Sequence, residues 1–326
     1  GLWQGIVKFD MPDFHGIISN YRHPLNESDT DRSNRKTPNS KNMKYKTAVI
    51  TGATSGLGRA TALQLAQKGI FVVIVARSNS KANEVIDQIN KEGGKGQAII
   101  SDLSSMKYTK KAADSISKIV DRLDVLINNA GSHFPQYEET PEGFESTLAL
   151  NYLSPFLLTH HLMGRLKETA SDYGEARVIN ITSIMHKSPI NWDDLNYKNT
   201  KYNSNIAYYQ SKHLLTSFTY YLSNKLKEMD ITVNCIHPGL VKTALVHSDY
   251  AFPMNLIVPI VDFFIGESPE KAAQTPVWNA LSNEVKGITG KYIHHRKIKK
   301  SWAPTKDTKA QSKLYNVTLA MLDAWL

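Results

Sequence analysis

Thr47-Ala48-Val49-Ile50, followed at once by Thr51-Gly52-Ala53-Thr54-Ser55-Gly56-Leu57-Gly58, is the stretch on which the fold turns. The first four residues form a short apolar run of buried-strand type, and the pattern beyond Gly58 is helical to about Lys68. Strand, glycine-rich turn and helix in that order suit a dinucleotide. Glycines let the backbone approach a pyrophosphate, and the helix amino terminus offers unpaired N–H groups and the positive end of its dipole. A glycine loop alone carries little information; its place directly after a buried strand carries much more.

The pattern repeats downstream. Phe71-Val72-Val73-Ile74-Val75 reads as a second buried strand, a helix covers about residues 80–92, and residues 96–101 form a third strand ending at Asp102-Leu103. A helix over about 104–120 leads to Asp124-Val125-Leu126-Ile127 and then Asn128-Asn129-Ala130-Gly131. A helix through Asn151 toward Leu166 precedes a strand over 177–181 that ends at Thr182-Ser183. Residues 231–236 form the next strand before His237-Pro238-Gly239, and Gly290-Lys291-Tyr292-Ile293 can add an edge strand. Repeated βα units with apolar strands argue for an α/β fold with a doubly wound parallel sheet of about seven strands, helices lying on both faces. Ligands of such sheets sit beyond the carboxyl ends of the strands, where these Gly, Asn and Asp residues fall.

The end of the second strand speaks to the cofactor. An acid there would bind a free ribose 2′-hydroxyl, whereas an arginine accommodates a 2′-phosphate. Phe71 to Asn83 holds no acid, and Arg77 stands at the strand end. NADP(H) is therefore favoured over NAD(H), the alternative being an arginine that points into solvent.

Tyr208-Tyr209-Gln210-Ser211-Lys212 opens a long amphipathic helical run. Residues i and i+4 on a helix are neighbours, roughly 5–6 Å apart at Cβ. A lysine ammonium beside a phenol is expected to lower the phenol pKa from its reference of about 10. Tyr197/Lys201 and Tyr221/Lys225 share this spacing, so spacing alone does not choose among the three pairs.

The chain has 326 residues and a formal charge of +9, with nine Lys/Arg against one acid between residues 286 and 313. Such a patch suits an anionic membrane surface or an acidic partner as well as plain solvent. Nucleic-acid binding is not expected, because no binding motif accompanies the charge. Cys235 is the only cysteine, which excludes an intramolecular disulfide and suits a reducing compartment. His160-His161 and His294-His295 lack metal-ligand spacing, so no metal is expected. The most apolar stretch, residues 252–265, is shorter than the roughly 20 residues of a membrane span and contains Pro253, Pro259 and Asp262. Without a span or a secretory pattern, the expected location is the cytoplasm or the periphery of a membrane. Residues 1–43 read as an amino-terminal extension, polar and linker-like from about residue 21, ahead of one domain over 44–326.

From about Lys44 onward the chain resembles the short-chain dehydrogenase/reductase family and its Rossmann-type fold. The matching blocks are the Thr51–Gly58 loop, Asp102-Leu103, Asn128-Asn129-Ala130-Gly131, Asn151, Ser183, the Tyr-x-x-x-Lys pair and His237-Pro238-Gly239, in order. The family's usual Ser-to-Tyr gap is about a dozen residues and points first to Tyr197, 14 residues after Ser183. Against that, residues 198–205 offer no apolar face for a packed helix, Ser211-Lys212 matches the family's frequent Ser-Lys ending, and Tyr208 lies 30 residues before Pro238. The longer gap of 25 resembles the retinol dehydrogenase-like branch, as do Ser268-Pro269-Glu270-Lys271-Ala272-Ala273-Gln274-Thr275 and Gly290-Lys291-Tyr292.

The resemblance implies an NADP(H)-dependent oxidoreductase acting on a lipophilic carbonyl or alcohol. Tyr208 is the implied acid/base, Lys212 lowers its pKa and holds the nicotinamide ribose, and Ser183 holds the carbonyl oxygen, with Thr182 as the alternative. Asn151 holds a water that links Lys212 to solvent, or is simply a structural helix residue. The implied cofactor contacts are Gly52, Thr54, Ser55, Gly56, Leu57, Gly58, Arg77, Asp102, Leu103, Asn129, Ala130 and Gly131, with Tyr208, Lys212, Pro238, Gly239, Val241 and Thr243 at the nicotinamide end. The segment of about 240–268, with Phe252, Met254, Leu256, Ile257, Val258 and Phe263, falls where the family covers its substrate. A homodimer through the helices carrying Asn151 and Tyr208 is the family's default. The competing reading is an NADP(H)-binding regulator or scaffold with little turnover, against which an intact set of four catalytic residues argues.

Overall fold

Short apolar runs bounded by glycine or polar turns fold as parallel strands when both faces are to be covered. The computed structural model describes residues 45–239, 241 and 266–326, and it shows such strands at β1 (Thr47–Thr51), β2 (Phe71–Ala76), β3 (Lys95–Ile100), β4 (Val125–Asn128), β5 (Ala176–Ile181) and β6 (Ile231–Ile236). Every residue of β1, β4, β5 and β6 is buried. β3, farther out, keeps only Ile99 buried. The residue range expected to cover the substrate lies mostly outside the described residues, as do Thr243 and residues 1–43.

Helices α1 (Gly56–Gln67), α2 (Asn79–Lys91), α3 (Met106–Ile119), α4 (Ser154–Tyr173), α5 (Ser204–Lys225), α6 (Gln274–Leu281) and α7 (Thr308–Leu322) flank the sheet. α1, α2 and α6 close one face over a core that includes Ile50, Leu65, Ile74, Val85, Ile127 and Val277. Tyr152, Phe156, Phe218 and Tyr315 fill the opposite side, where the Phe156 and Phe218 rings lie 4.9 Å apart. Arg177 at the start of β5 is only 3% exposed. A buried guanidinium needs every donor answered, and this one pairs with Glu175 at 2.8 Å and reaches the Asn279 and Ser282 carbonyls that end α6.

The sheet has eight strands, in the order β3-β2-β1-β4-β5-β6-β7-β8, against about seven expected. β7 (Tyr292–His294) continues the parallel set, and β8 (Lys297–Lys299) folds back antiparallel to it. Three exposed residues rich in lysine carry no apolar signal, which hid β8 from the sequence. His295 and Arg296 join the two strands at φ 48° and 58°, values that two-residue hairpin turns demand and that Asn and Gly adopt more readily. Strand order reverses between β1 and β4, so a crevice opens at their carboxyl ends.

α7 lies on α5, with Tyr315 stacked on Tyr221 at 4.4 Å and the Thr318 hydroxyl bonded to that of Tyr152 at 2.7 Å. The face through which a dimer was expected is thus already partly covered by the chain's own carboxyl-terminal helix. Among the described residues no helix is long and apolar enough to cross a membrane.

Candidate active site

The glycine loop is stitched to the end of β4. Thr51 Oγ1 accepts the N–H groups of Asn129 and Ala130, both at 2.9 Å, and Asn129 Nδ2 donates to the Thr51 and Gly52 carbonyls at 2.9 and 3.1 Å. Gly52 takes φ 66°, the left-handed region where a side chain is strained, and a Cβ there would stand 2.8 Å from Ala130 Cα. A Cβ on Gly58 would run into Asn129 Nδ2 and the Gly52 carbonyl. Ser55 caps α1 without any side-chain hydrogen bond, and no acid sits in the first turn. The helix amino terminus is therefore left open to an anion, which is what a dinucleotide pyrophosphate requires. Thr54 is half-buried beside it, and Leu57 is buried.

Arg77 is exposed just past β2, in the place expected for the adenosine ribose. Asp102 beyond β3 binds Ser104 N–H at 3.0 Å and Ser104 Oγ at 2.8 Å, while Leu103 is buried. At the other end of the crevice Pro238 and Gly239 are half-buried beyond β6, with Gly239 at φ 90°. Val241 bridges to Glu267.

Asn151 does not sit in regular α-helix. Ser146–Leu148 and Ser154–Tyr173 are α-helical, and the residues between them, Ala149–Leu153, form a π-helical turn. Such turns distort the hydrogen-bond ladder and recur at functional sites. The Asn151 amide accepts Ser132 N–H at 2.9 Å and donates to the Ser132 carbonyl at 2.9 Å and to Ser211 Oγ at 3.0 Å. Ser211 in turn donates to the Tyr208 carbonyl at 2.7 Å. The side chain is a clamp between the loop after β4 and α5. The water expected of Asn151 would have to use its remaining Oδ1 lone pair or its main-chain carbonyl. Gly131 is small for a reason: a Cβ there would lie 3.1 Å from Asn151 Oδ1 and 3.2 Å from Lys212 Nζ.

Tyr208 is half-buried in the first turns of α5, and the Ser183 hydroxyl stands close enough to act on its phenol. Thr182 is buried and turned away, its hydroxyl bonded to Thr216 Oγ1 at 2.8 Å and to the Lys212 carbonyl at 3.3 Å. Ser183 is the hydroxyl that meets the tyrosine. Lys212 is 4% exposed and donates to the Ile181 carbonyl at 3.1 Å, its Nζ 5.7 Å from the centre of the Tyr208 ring.

The electrostatics correct one expectation. Burial raises the Tyr208 pKa, the nearby Ser183 hydroxyl opposes that rise, and neighbouring Tyr209 adds to it. Lys212 is not among the groups that shift the phenol: its ammonium is bonded to the Ile181 carbonyl and stands 5.7 Å from the ring centre. Burial instead lowers Lys212 itself, to about 8. In the unfolded chain lysine titrates at about 10.4. Between these values the unfolded chain binds more protons, so this residue makes stability rise with pH from about 8 upward, and the contribution is lost as pH falls through 8. Urea unfolding between pH 7.5 and 10 should show this slope in the native protein and a shallower one in Lys212→Met.

The two other Tyr/Lys pairs lie elsewhere. Tyr197 is in a loop with φ 53°, buried, its hydroxyl without a hydrogen-bond partner and its pKa raised by burial to about 12. That loop is wound around Asp194, which accepts the N–H groups of Lys198, Asn199 and Thr200 at 2.8 Å each. Tyr221 and Lys225 lie near the far end of α5, with Lys225 Nζ 5.4 Å from the Tyr221 ring centre.

The glycine loop, Asn151, Ser183 and the Tyr208/Lys212 pair thus gather at one edge of a switch-point sheet, and the short chain dehydrogenase pattern matches residues 46–252. The chain belongs to the short chain dehydrogenase family. Human retinol dehydrogenase 13 is 34% identical over 286 residues, 85% of each chain, and human polyprenol dehydrogenase is 34% identical over 84% of each. Within the short chain dehydrogenases it falls in the retinol dehydrogenase-like branch. Among solved structures, the Pseudomonas aeruginosa RhlG/NADP active-site complex is 27% identical with a TM-score of 0.63, covering 76% of this chain and 94% of that one. Sequence reasoning missed Ser132, the Ser211 bond to Asn151 and the Ile181 carbonyl as parts of this short chain dehydrogenase site. Ser211 had a signal in its place before Lys212. A main-chain carbonyl has none.

Proposed function

We propose that this protein transfers a hydride between NADP(H) and a lipophilic carbonyl or alcohol, with Tyr208 as the acid/base. The observation that carries the reading is the Ser183 hydroxyl close beside Tyr208, with Lys212 held on the same helix at the Ile181 carbonyl, while the Thr182 hydroxyl is bonded to Thr216 and Tyr197 is buried in a separate loop. A bound nicotinamide would supply or accept the hydride. In the reducing direction Tyr208 Oη gives its proton to the substrate oxygen as that oxygen gains charge. Ser183 Oγ donates a hydrogen bond to the same oxygen and steadies the charge. Lys212 stands next to Gly131, where it can bind ribose hydroxyls, and the open end of α1 receives the pyrophosphate. Oxidation runs these steps backward.

Arg77 supports the choice of NADP(H), since its exposed guanidinium at the end of β2 suits a 2′-phosphate. Charge-assisted hydrogen bonds of this kind are worth about 1.5–3 kcal/mol, or roughly 10- to 100-fold in binding. Arg77→Glu should lose about that much NADPH affinity in fluorescence titrations and leave NADH little changed. A native preference for NADH would overturn the cofactor assignment. The lipophilic substrate rests on the relatives named retinol and polyprenol dehydrogenases and on the apolar run at residues 252–265. The purified protein, given NADPH or NADH and a panel of apolar aldehydes and ketones, should consume the reduced cofactor. No turnover on any of them would favour a cofactor-binding regulator instead.

The exposed basic strand β8, with Arg296 in the turn before it and Lys300 after it, supports a peripheral contact with anionic lipid, which flotation with anionic vesicles tests. A homodimer through α4 and α5 would have to share the α5 surface with α7, which already packs there.

A further inference from the structure

The turn that carries Ser183 is held from behind by a buried histidine. His186 is 2% exposed, and its Nε2 accepts the N–H of Trp302 at 3.0 Å. A ring nitrogen that accepts has no proton of its own, so the proton lies on Nδ1. Nδ1 therefore donates, to the Ser183 carbonyl at 2.6 Å. The Tyr292 hydroxyl donates to the same carbonyl at 3.3 Å, its ring 5.0 Å from that of His186. Both carbonyl lone pairs are then engaged, which fixes the peptide plane after Ser183.

The hydroxyl of Ser183 is constrained as well. Its Oγ accepts Met185 N–H at 3.0 Å, so the hydroxyl proton remains for Tyr208 or for a substrate oxygen. Trp302 opens the final stretch of chain leading into α7, and its ring also packs against His213, 5.1 Å away. His213 repeats half of the pattern, its Nδ1 meeting the Ser188 carbonyl at 2.6 Å while its Nε2 has no hydrogen-bond partner among the described residues. The remaining titratable neighbours of His186 are Lys187, His213 and His237. Burial first, and the Lys187 cation after it, hold the His186 pKa below the usual histidine value against the pull of the Ser183 carbonyl, so the ring can go on accepting from Trp302. With both ring nitrogens engaged, His186 does not exchange protons with substrate.

We propose that His186 is a positioning residue for Ser183: by linking the Ser183 carbonyl to the Trp302 main chain, it aims the Ser183 hydroxyl at Tyr208. The proposal rests on the oxidoreductase reading above. It makes the carboxyl-terminal segment part of the support of the reaction centre, although no side chain of that segment needs to touch the reacting atoms.

The test uses the full chain and three variants. His186→Leu removes both bonds, His186→Asn keeps a donor where Nδ1 stood, and His186→Gln keeps an acceptor near Nε2. Small misplacements of a reacting group cost up to about 100-fold in rate, so kcat in His186→Leu should fall roughly 10- to 100-fold, with cofactor KM unchanged. His186→Asn should recover more of that loss than His186→Gln, because the bond to Ser183 is the one that aims the hydroxyl. Amide exchange at Trp302 should be slow in the native protein and faster in His186→Leu. An unchanged kcat, or a loss shared equally by kcat, cofactor binding and thermal stability with no rescue by Asn, would overturn the proposal. Native protein without turnover on any substrate would remove the oxidoreductase reading and the catalytic half of this inference together. Exchange at Trp302 would still decide whether His186 holds the turn.

Discussion

Tyr208→Phe should cut turnover about a thousandfold while leaving the cofactor bound. The substitution removes one oxygen and keeps the ring, so the packing of Tyr208 against His133 at 5.9 Å survives. What disappears is the proton that the substrate oxygen must gain or lose, together with the phenol hydroxyl beside Ser183. Positioned proton transfer is worth about 10²- to 10⁴-fold, so kcat should drop about 10³-fold, or roughly 4 kcal/mol in the barrier. Tyr197→Phe is the comparison. Its hydroxyl is buried without a partner, and removing such a group is neutral or stabilising, so activity should stay and thermal stability should hold or rise. Steady-state rates and cofactor fluorescence on both variants decide the matter. Equal activity in Tyr208→Phe and the native protein would end the acid/base assignment, and a dead Tyr197→Phe would move it to the other tyrosine.

Gly58→Ala should be the most damaging methyl group that can be added to the chain at the cofactor site. The new carbon would collide with Asn129 Nδ2 and with the Gly52 carbonyl, neither of which can yield cheaply. The carbonyl is backbone, and the amide holds the glycine loop to β4 through two hydrogen bonds. Overpacking costs about 1–3 kcal/mol, and stranding the Asn129 donors adds about 1–3 more. Because the same atoms shape the pyrophosphate site, cofactor affinity should fall in parallel with stability. Gly164→Ala makes the contrast: that glycine lies within α4 with open space where its Cβ would be, so alanine should stabilise by about 0.5–1 kcal/mol. Urea unfolding of the two variants beside the native protein reads both signs. A Gly58→Ala protein as stable as the native one would mean that the loop is looser than its contacts indicate.

Much of this site could be read from residues alone, for a physical reason. Buried parallel strands are continuous apolar runs, and the turns after them must be Gly, Asn, Ser or Asp to meet a ligand, so β1, β2, β4, β5 and β6 and their termini announced themselves. The loop character of the Tyr197 region was also legible, since residues 198–205 offered no apolar face, and here Lys198, Asn199 and Thr200 fold around Asp194 before α5 begins at Ser204. Other features depend on contacts distant in sequence. The π turn at Asn151 has no composition signature, β8 is too short and too charged to read as a strand, and the direction of the Tyr208 pKa was misjudged. Spacing placed Lys212 beside the ring but could not show that the Ile181 carbonyl would claim its ammonium.

The short hairpin that ends the sheet also bears on how the molecule behaves in a crowd. Among the described residues β8 is the last strand, and its outer row of N–H and C=O groups offers a template to any extended chain nearby. Lys297 and Lys299 line that rim, followed by Lys300, and all are exposed. A second copy approaching edge to edge would bring the same cations against them, so like charge discourages runaway strand pairing where Ile298 alone would invite it.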